Sequence, residues 1–243
     1  MNTSAPDDSL IGTIKKSAPV LSVGLLSADL MQLGDAVATL ENCGAQMLHF
    51  DVADGCFCPL FTAGAFFVKG TRTRLFKDVH LMVQDPLPVI PEFAAAGADA
   101  ITVQVESGGN IHRALQLIGE QKNVRDPDRG ILRGIALLPG TPLSMAEPLL
   151  PEADLVFLIA VNPGFPKQHF IEATADRFRT LRAMAGTGPY APLLAIDGGI
   201  TSGTIEAAAS LNPALLVSGS AVFENGRIAE NFERLTDLAG RNR

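Results

Sequence analysis

The sequence predicts a closed (β/α)8 barrel, in which parallel strands alternate with helices. Short runs rich in leucine and β-branched residues recur along the chain, and each is followed by an amphipathic stretch. The chain has 243 residues, of which 47% are hydrophobic, so it has the usual length of one such barrel and can bury a large core. Histidines and aspartates stand near the ends of several apolar runs, where a barrel presents its functional side chains.

Each predicted strand is an apolar run that ends before glycine, proline or polar residues. The predicted strands span residues 20–26, 46–52, 77–83, 100–105, 133–138, 154–161, 192–197 and 214–218. The stretches between them follow a helical period, as in the first, with apolar residues at positions 30, 33, 37 and 40. The predicted helices span residues 29–43, 64–74, 86–96, 110–121, 143–150, 168–185, 202–210 and 225–239. Gly97 follows the third of these, as expected at a helix end.

Outside the barrel we expect little further organisation. Residues 1–17 are predicted to be a flexible arm, and residues 18–243 a single catalytic domain. The net charge of −7 argues against nucleic acid as a partner. No apolar run is long enough to span a membrane and no secretory pattern opens the chain, so we expect a cytoplasmic protein with no membrane contact. Cys43, Cys56 and Cys58 suggest neither a disulfide framework nor a thiolate metal site.

Four side chains at predicted strand ends indicate a metal site. They are His49 and Asp51 in the second strand, His80 in the third and Asp197 in the seventh. Residues two apart on a strand point to the same face, so His49 and Asp51 can reach one ion. Taken singly, each is more often a hydrogen-bonded strand-end residue. Two imidazoles and two carboxylates together favour one divalent transition metal, Zn²⁺, Fe²⁺, Mn²⁺ or Co²⁺.

Glycines after the last two predicted strands indicate a phosphate site. In a barrel these loops commonly hold phosphate on backbone N–H groups, which glycine allows to approach closely. The loop 162–168 is expected to fold over the substrate as a lid, although a rigid connection is the simpler alternative. The candidate residues of this end are Gly164, Lys167, Gly198, Gly199, Gly219 and Ser220.

Seven motifs in order resemble the ribulose-phosphate 3-epimerase family over residues 18–223. They are Leu-Leu-Ser-Ala-Asp-Leu (25–30), His-Phe-Asp-Val-Ala-Asp-Gly (49–55), Asp-Val-His-Leu-Met-Val (78–83), Pro-Gly-Thr-Pro-Leu (139–143), Val-Asn-Pro-Gly-Phe (161–165), Ile-Asp-Gly-Gly-Ile (196–200) and Val-Ser-Gly-Ser-Ala-Val-Phe (217–223). The resemblance implies a ribulose-phosphate-binding type of barrel, and a metal-dependent enzyme that inverts a carbon beside the ketone of a phosphorylated ketose. The family's four metal ligands correspond here to His49, Asp51, His80 and Asp197.

The implied reaction explains why two carboxylates are needed. Inverting carbon 3 requires removal of a proton from one face and delivery of another to the opposite face, which we assign to Asp51 and Asp197. A bound metal would act as a Lewis acid for the enediolate formed between the two steps. Met82 is a candidate apolar wall beside this carbon, and plain core packing is an equal alternative.

Several positions depart from the family's pattern at the substrate walls. Gly24 stands where the family usually has a serine that contacts substrate, and Leu60 and Leu138 replace residues that are often polar. The glycine-rich lid of the family carries Pro166 and Lys167 here, which removes a backbone donor and adds a positive charge. Ala53 and Ile159 stand where the family has methionines. These changes leave the predicted metal ligands and bases in place.

The sequence therefore predicts a metal-dependent 3-epimerase, with D-ribulose 5-phosphate and D-xylulose 5-phosphate as the first-choice pair and a homo-oligomeric assembly. The same chemistry on a hexulose 6-phosphate or a tetrulose phosphate is an alternative. A non-catalytic barrel that binds a phosphorylated sugar is another. A lyase with a catalytic lysine is a further alternative, but Lys69 and Lys77 do not stand at strand ends beside the four ligands.

Overall fold

The computed structural model describes residues 10–165, 168–188 and 190–241, and its centre is a closed barrel of eight parallel strands. Each strand pairs with the next along the chain, and β8 pairs with β1 to close the barrel. The strands are β1 (Val20–Gly24), β2 (Met47–Ala53), β3 (Phe76–Met82), β4 (Ala100–Gln104), β5 (Leu132–Leu137), β6 (Leu155–Ile159), β7 (Leu193–Asp197) and β8 (Leu215–Ser218). The predicted barrel and all of its strands are confirmed.

Alternation along the strands divides the buried side chains into two sets. In β2, Leu48 and Phe50 belong to the large core between strands and helices, whereas Met47 belongs to a separate cluster inside the barrel. Because the side-chain period of a strand is two, His49 and Asp51 share the inward face with Met47. The outer face of β2 thus packs in the apolar core, whereas its inner face carries the polar side chains of His49 and Asp51.

Helices surround the barrel in the predicted alternation, with two local differences. The α-helices are α1 (Leu10–Ser17), α2 (Leu33–Asn42), α3 (Ala65–Gly70), α4 (Ile90–Ala95), α5 (Ile111–Gly119), α6 (Thr174–Ala185), α7 (Ile205–Ala209), α8 (Ser220–Phe223) and α9 (Ile228–Gly240). The helix predicted over 143–150 is replaced by two 3₁₀ segments, Leu143–Met145 and Glu147–Glu152. Pro148 and Pro151 have no N–H for an α-helical hydrogen bond, which explains the tighter winding.

The sixth predicted helix starts later than expected, at Thr174 instead of residue 168. The side chain of Gln168 is bound within the preceding loop, where its Oε1 accepts from the backbone N–H of Asn162 at 2.8 Å and its Nε2 donates to the carbonyl of Phe165 at 2.8 Å. These contacts hold Gln168 in the loop after β6, outside the helix.

The prediction of a flexible arm is wrong for residues 10–17, which form helix α1. Leu10 and Ile14, four positions apart, lie on one face and are buried against the apolar cluster inside the barrel. This cluster includes Val20 and Leu155, the first residues of β1 and β6, so α1 covers the barrel end opposite the functional loops. The rest of the predicted arm, residues 1–9, lies outside the described residues. Within the described ranges, no helix has both the length and the apolar composition needed to cross a membrane.

Candidate active site and metal centre

The barrel brings the four predicted metal ligands together from β2, β3 and β7. One nitrogen or oxygen of each residue lies within 4.8 Å of the corresponding atom of every other. His49 Nε2 lies 3.2 Å from Asp51 Oδ1 and 3.8 Å from Asp197 Oδ2, while His80 Nδ1 lies 3.4 Å and 3.6 Å from the same two oxygens. The predicted cluster is therefore assembled from three separate strands.

The four residues fit a divalent transition metal. Ligand atoms about 2.0–2.2 Å from a tetrahedral ion are roughly 3.4 Å apart, close to the spacings of this cluster. His80 Nδ1 is buried, faces both carboxylates and has no hydrogen-bond partner within the described part of the chain. Buried polar atoms are normally paired, so an unpaired nitrogen aimed at two carboxylates is the arrangement expected of a metal ligand.

Each imidazole is held from behind by a second buried residue. Asp78 is fully buried, and its Oδ2 lies 2.7 Å from His49 Nδ1 and accepts from the Ser22 hydroxyl at 3.3 Å. On the other ring, the side-chain amide of Gln104 lies 2.9 Å from His80 Nε2. Such outer partners select which ring nitrogen carries the proton and orient the other nitrogen towards a metal.

Sequence reasoning missed both outer partners, although each left a signal. Asp78 precedes His80 by two positions on β3, so the strand period alone places its carboxylate on the inward face. Gln104 ends the apolar run of β4, which is unusual for a strand buried throughout. A polar residue that shares the inward face of a barrel strand with a metal ligand is thus a candidate for orienting it.

The pKa values of the cluster show how strongly its charges interact. Burial lowers the pKa of His49, but the charges of Asp78 and Asp51 outweigh burial and raise the pKa well above its ordinary value. Burial likewise lowers the pKa of His80, but the carboxylates of Asp197 and Asp51, which its Nδ1 faces, raise it overall. Burial raises the pKa of Asp51, whereas the charge and hydrogen bond of His49 lower it far below its ordinary value. Without an ion, the carboxylates therefore favour the protonated imidazoles, so protons compete with a metal for these nitrogens.

A cavity of about 360 Å³ opens above the cluster. Asp51 and Asp197 line it, whereas His49 and His80 are buried beneath. The ring of Phe157 packs against both imidazoles, with ring centroids 5.9 Å from His49 and 6.3 Å from His80. The other predicted site residues that line the cavity are Gly24, Met82, Gly164, Gly198, Gly199, Gly219 and Ser220. The remaining predicted one, Lys167, lies outside the described residues.

Two of the predicted phosphate-site glycines are required by close contacts. Gly198 has a φ of +97°, and a Cβ there would lie 2.5 Å from a methyl group of Val161. A Cβ on Gly219 would lie 2.9 Å from the hydroxyl oxygen of Ser27 and 3.0 Å from the carbonyl oxygen of Gly24. Backbone therefore forms this wall of the cavity, and a ligand there can approach main-chain N–H groups without an intervening side chain.

The loop after β6 is packed against the loop after β2. Gly164 has a φ of +87°, and a Cβ there would lie 2.9 Å from the side chain of Pro59. The Gln168 amide closes the loop on itself through both backbone groups of Asn162. Phe165 extends from this loop and lines the cavity mouth with 59% of its surface exposed. Movement of this loop as a lid stays a prediction.

The departures from the family pattern occupy different places. Gly24 and Leu60 line the cavity, and Met82 forms part of its wall in a small apolar cluster with Ala53 and Cys58. Leu138 is not part of the described cavity lining, although the sequence suggested a substrate wall there. Ile159 also lines the cavity, so the departures placed to contact a ligand there are Gly24, Leu60 and Ile159.

No lysine belongs to the described lining of the cavity. Lys77 is buried and donates from Nζ to the carbonyl of Val68, at 2.5 Å, and Lys69 lies in the last turn of α3. Burial lowers the pKa of Lys77, but the side chain of Lys77 is directed to Val68 and away from the carboxylates of the site. The structure thus provides no support for the lysine-dependent lyase alternative.

Comparison with known proteins assigns the chain to a family. The model of the ribulose-phosphate 3 epimerase family matches residues 20–223. A ribulose-phosphate 3-epimerase of Bacillus subtilis (strain 168) is 39% identical over 202 residues, which are 82% of this chain and 89% of that protein. The chain belongs to the ribulose-phosphate 3-epimerase family. It is accordingly an enzyme of the isomerase class, and not a barrel that only binds a sugar phosphate.

Two further comparisons describe the breadth of this similarity. The putative epimerase LsrE of Salmonella typhi is 34% identical over 212 residues, which are 87% of this chain and 84% of LsrE. The crystal structure of 3-hexulose-6-phosphate synthase from Salmonella typhimurium superposes with a TM-score of 0.64 over 92% of this chain and 100% of that one, at 16% identity. The structural likeness concerns the barrel fold alone.

Proposed function

We propose that the protein interconverts D-ribulose 5-phosphate and D-xylulose 5-phosphate by inverting carbon 3. The convergence of Asp51 and Asp197 with two buried imidazoles at the floor of one cavity carries this proposal. Glycine backbone borders the same cavity, so a phosphorylated ketose could place its reacting carbon near the carboxylates and its phosphate against main-chain N–H groups.

We propose one resident divalent metal, Zn, Fe, Mn or Co, held by His49, Asp51, His80 and Asp197. When bound, such an ion supplies Lewis-acid stabilisation of the negative charge that develops on the substrate oxygens. The mixed nitrogen and oxygen donor set supports this group of metals over Mg²⁺ or Ca²⁺, which prefer oxygen ligands alone.

Asp51 and Asp197 are the proposed proton carriers. They come from β2 and β7, so they approach the cavity from separate strands. Asp51 turns Oδ1 and Asp197 turns Oδ2 towards both imidazoles. The other oxygens, Oδ2 of Asp51 and Oδ1 of Asp197, are the ones we assign to proton transfer. One carboxylate removes the proton from one face of carbon 3 while the other, in its acid form, delivers a proton to the opposite face.

Backbone groups of Gly198, Gly199, Gly219 and Ser220 form the proposed phosphate end, with Gly164 at the loop that faces it. Lys167 is proposed to add a positive charge there, since phosphate recognition strengthens when a charged donor joins neutral ones. Residues 18–243 as one catalytic domain, a homo-oligomeric assembly and a cytoplasmic location also remain proposals.

Exchange of the carbon-3 proton with solvent tests the proposal directly. In D₂O, a panel of pentulose, hexulose and tetrulose phosphates is incubated with the enzyme and followed by NMR for deuterium at carbon 3 and for the inverted product. We expect D-ribulose 5-phosphate to exchange fastest and to give D-xylulose 5-phosphate. Absence of exchange with every compound, in protein loaded with each candidate metal, would contradict the proposed reaction.

Gly24→Ser separates the pentulose from another phosphoketose. Gly24 has extended backbone with a φ of −73°, and an added Cβ would lie 3.5 Å from Gly219 Cα, so serine fits without strain. If D-ribulose 5-phosphate is the native substrate, the new hydroxyl should raise kcat/KM about two- to tenfold, as expected for one hydrogen bond. A bulkier native substrate that uses the vacant space should instead lose activity.

The control for this variant is Gly140→Ser, at an exposed glycine with nothing within 4 Å of an added Cβ. It should leave kinetics unchanged on every sugar. Equal kinetics of Gly24→Ser and the wild type on all sugars would show that residue 24 does not contact the substrate.

Metal affinity should increase with pH across the neutral range. The raised pKa values of His49 and His80 favour a proton on the ring nitrogen that faces the cluster. A metal binds this nitrogen only after the proton has left. Each displaced proton makes the apparent affinity rise about tenfold per pH unit until the raised pKa is passed. Calorimetric titration with Zn²⁺ in buffers of different ionisation enthalpy should show proton release. Affinity that is independent of pH would contradict the assigned ligands.

A further inference from the structure

The orientation of His80 depends on which of its ring nitrogens carries the proton. Nδ1 faces Asp51 and Asp197, so it needs a free lone pair to bind a metal. Nε2 must then carry the proton and requires an acceptor behind the ring. Gln104 occupies that place at 2.9 Å, but an amide can present either an oxygen or a nitrogen there.

Two acceptors decide which end of the Gln104 amide faces His80. With the amide oxygen towards His80, the amide nitrogen donates to the carbonyl of Ala136 at 3.1 Å and to Glu106 Oε2 at 2.7 Å. In the reverse orientation the amide oxygen would face both of these acceptors, Glu106 Oε2 would lose its donor, and the carbonyl of Ala136 would keep only the N–H of Val105. Facing oxygens repel each other, so this orientation is disfavoured.

Glu106 is itself fixed at the start of the loop after β4. Its Oε1 accepts from the backbone N–H of Leu138 at 2.8 Å, and its Oε2 accepts from Gln104. Both oxygens are therefore engaged as acceptors, which a carboxylate can do and a side-chain amide cannot. The half-buried carboxylate thus holds the Gln104 amide in one orientation.

We propose that Glu106 is a positioning residue that acts through Gln104 to select the His80 tautomer with Nδ1 free for metal. This inference rests on the proposed metal site. Glu106 contacts neither metal nor substrate in this role. It keeps Gln104 an acceptor towards His80 and thereby keeps the ligand nitrogen of His80 available.

The arrangement also explains why an amide stands behind His80 whereas a carboxylate stands behind His49. Asp51, Asp78 and Asp197 already bring three carboxylates to the cluster. A fourth one in contact with His80 would add like-charge repulsion to a buried site. Gln104 instead separates the charge of Glu106 from the cluster by one neutral residue.

Glu106→Gln tests the inference, because an amide there can accept from Gln104 or from Leu138 N–H but presents a donor to the other. We expect the apparent Kd for Zn²⁺, measured by competition with a chromophoric chelator, to rise about tenfold or more, the usual effect of losing an outer partner. Long-range ¹H–¹⁵N NMR of zinc-loaded, histidine-labelled protein has only four histidines to assign. In the wild type, the His80 signals should show one form, with zinc on Nδ1 and the proton on Nε2. In Glu106→Gln they should show a mixture of this form and the other tautomer. The His49 signals should be the same in both proteins.

Glu120→Gln is the matched control, since Glu120 is an exposed carboxylate paired with Arg113 on α5. Its Kd and NMR pattern should equal those of the wild type. Gln104→Met, which removes the acceptor itself, should reproduce the loss and provides a second measurement if Glu106→Gln does not fold.

Wild-type Kd and an unchanged His80 pattern in the foldable variants would overturn the inference. Wild-type protein that binds no zinc would instead remove the proposed metal site. The two failures are thus distinguishable without an activity assay.

Discussion

Asp51→Asn and Asp197→Asn should each lower kcat by about 10²-fold or more, even with metal supplied in excess. An amide of the same size can still occupy the position but cannot carry a proton at neutral pH, and a positioned acid or base usually contributes this much. Both carboxylates line the cavity with an oxygen turned away from the imidazoles, so each removal should eliminate one of the two proton transfers. Turnover is measured with D-ribulose 5-phosphate by a coupled assay for the product.

Asp237→Asn, at an exposed position of α9, is the matched control and should be fully active. Metal content of each variant is determined alongside the rate, which separates loss of an acid or base from loss of a ligand. If either active-site variant retains more than about a tenth of wild-type activity with metal bound, the assignment of two aspartate bases is wrong.

Removal of the metal should abolish activity, and His49→Ala or His80→Ala should act mainly by weakening its binding. Deleting one of the four proposed ligands from a preorganised site leaves in place the two carboxylates that we propose as proton carriers. Activity of the alanine variants should therefore recover in part as Zn, Fe, Mn or Co is added. Elemental analysis of protein purified without chelator should find close to one such ion per chain.

The control for these variants is His112→Ala, because His112 is exposed on α5 and away from the cavity. It should retain wild-type metal content and rate. Full activity in protein shown to be metal-free, or no binding of any candidate metal, would exclude the proposed cofactor.

Hydrophobic patterning was sufficient to predict the barrel because its strands are buried on both faces and stand out as continuous apolar runs. All eight strands therefore lie within a few residues of their predicted bounds. The predicted elements that failed are those in which local chemistry overrides the pattern. Proline prevents an α-helix over Glu147–Glu152, and the Gln168 side chain holds its own segment in the loop before α6.

The part of the site that could be predicted from the sequence consists of residues recognisable by their type and their position in a strand. His49, His80 and the two aspartates met these conditions, and the structure assembles them. Asp78, Gln104 and Glu106 were missed because their proposed roles come from pairing across neighbouring strands. Which residue supports a given imidazole depends on strand register, and register became available only with the closed sheet.

Helix α1 has a consequence for the order in which the enzyme is assembled. With α1 over the far end of the barrel and apolar side chains filling its interior, the cavity is the open side of the two buried imidazoles. A sugar phosphate seated in that mouth would block the same route, since Asp51 and Asp197 line the cavity above them. If the proposed metal and substrate bind here, the metal would have to load first, and a chelator would remove it only after the substrate leaves. The closed far end of the barrel would thereby set the order of two proposed binding events that the cluster alone would allow in either order.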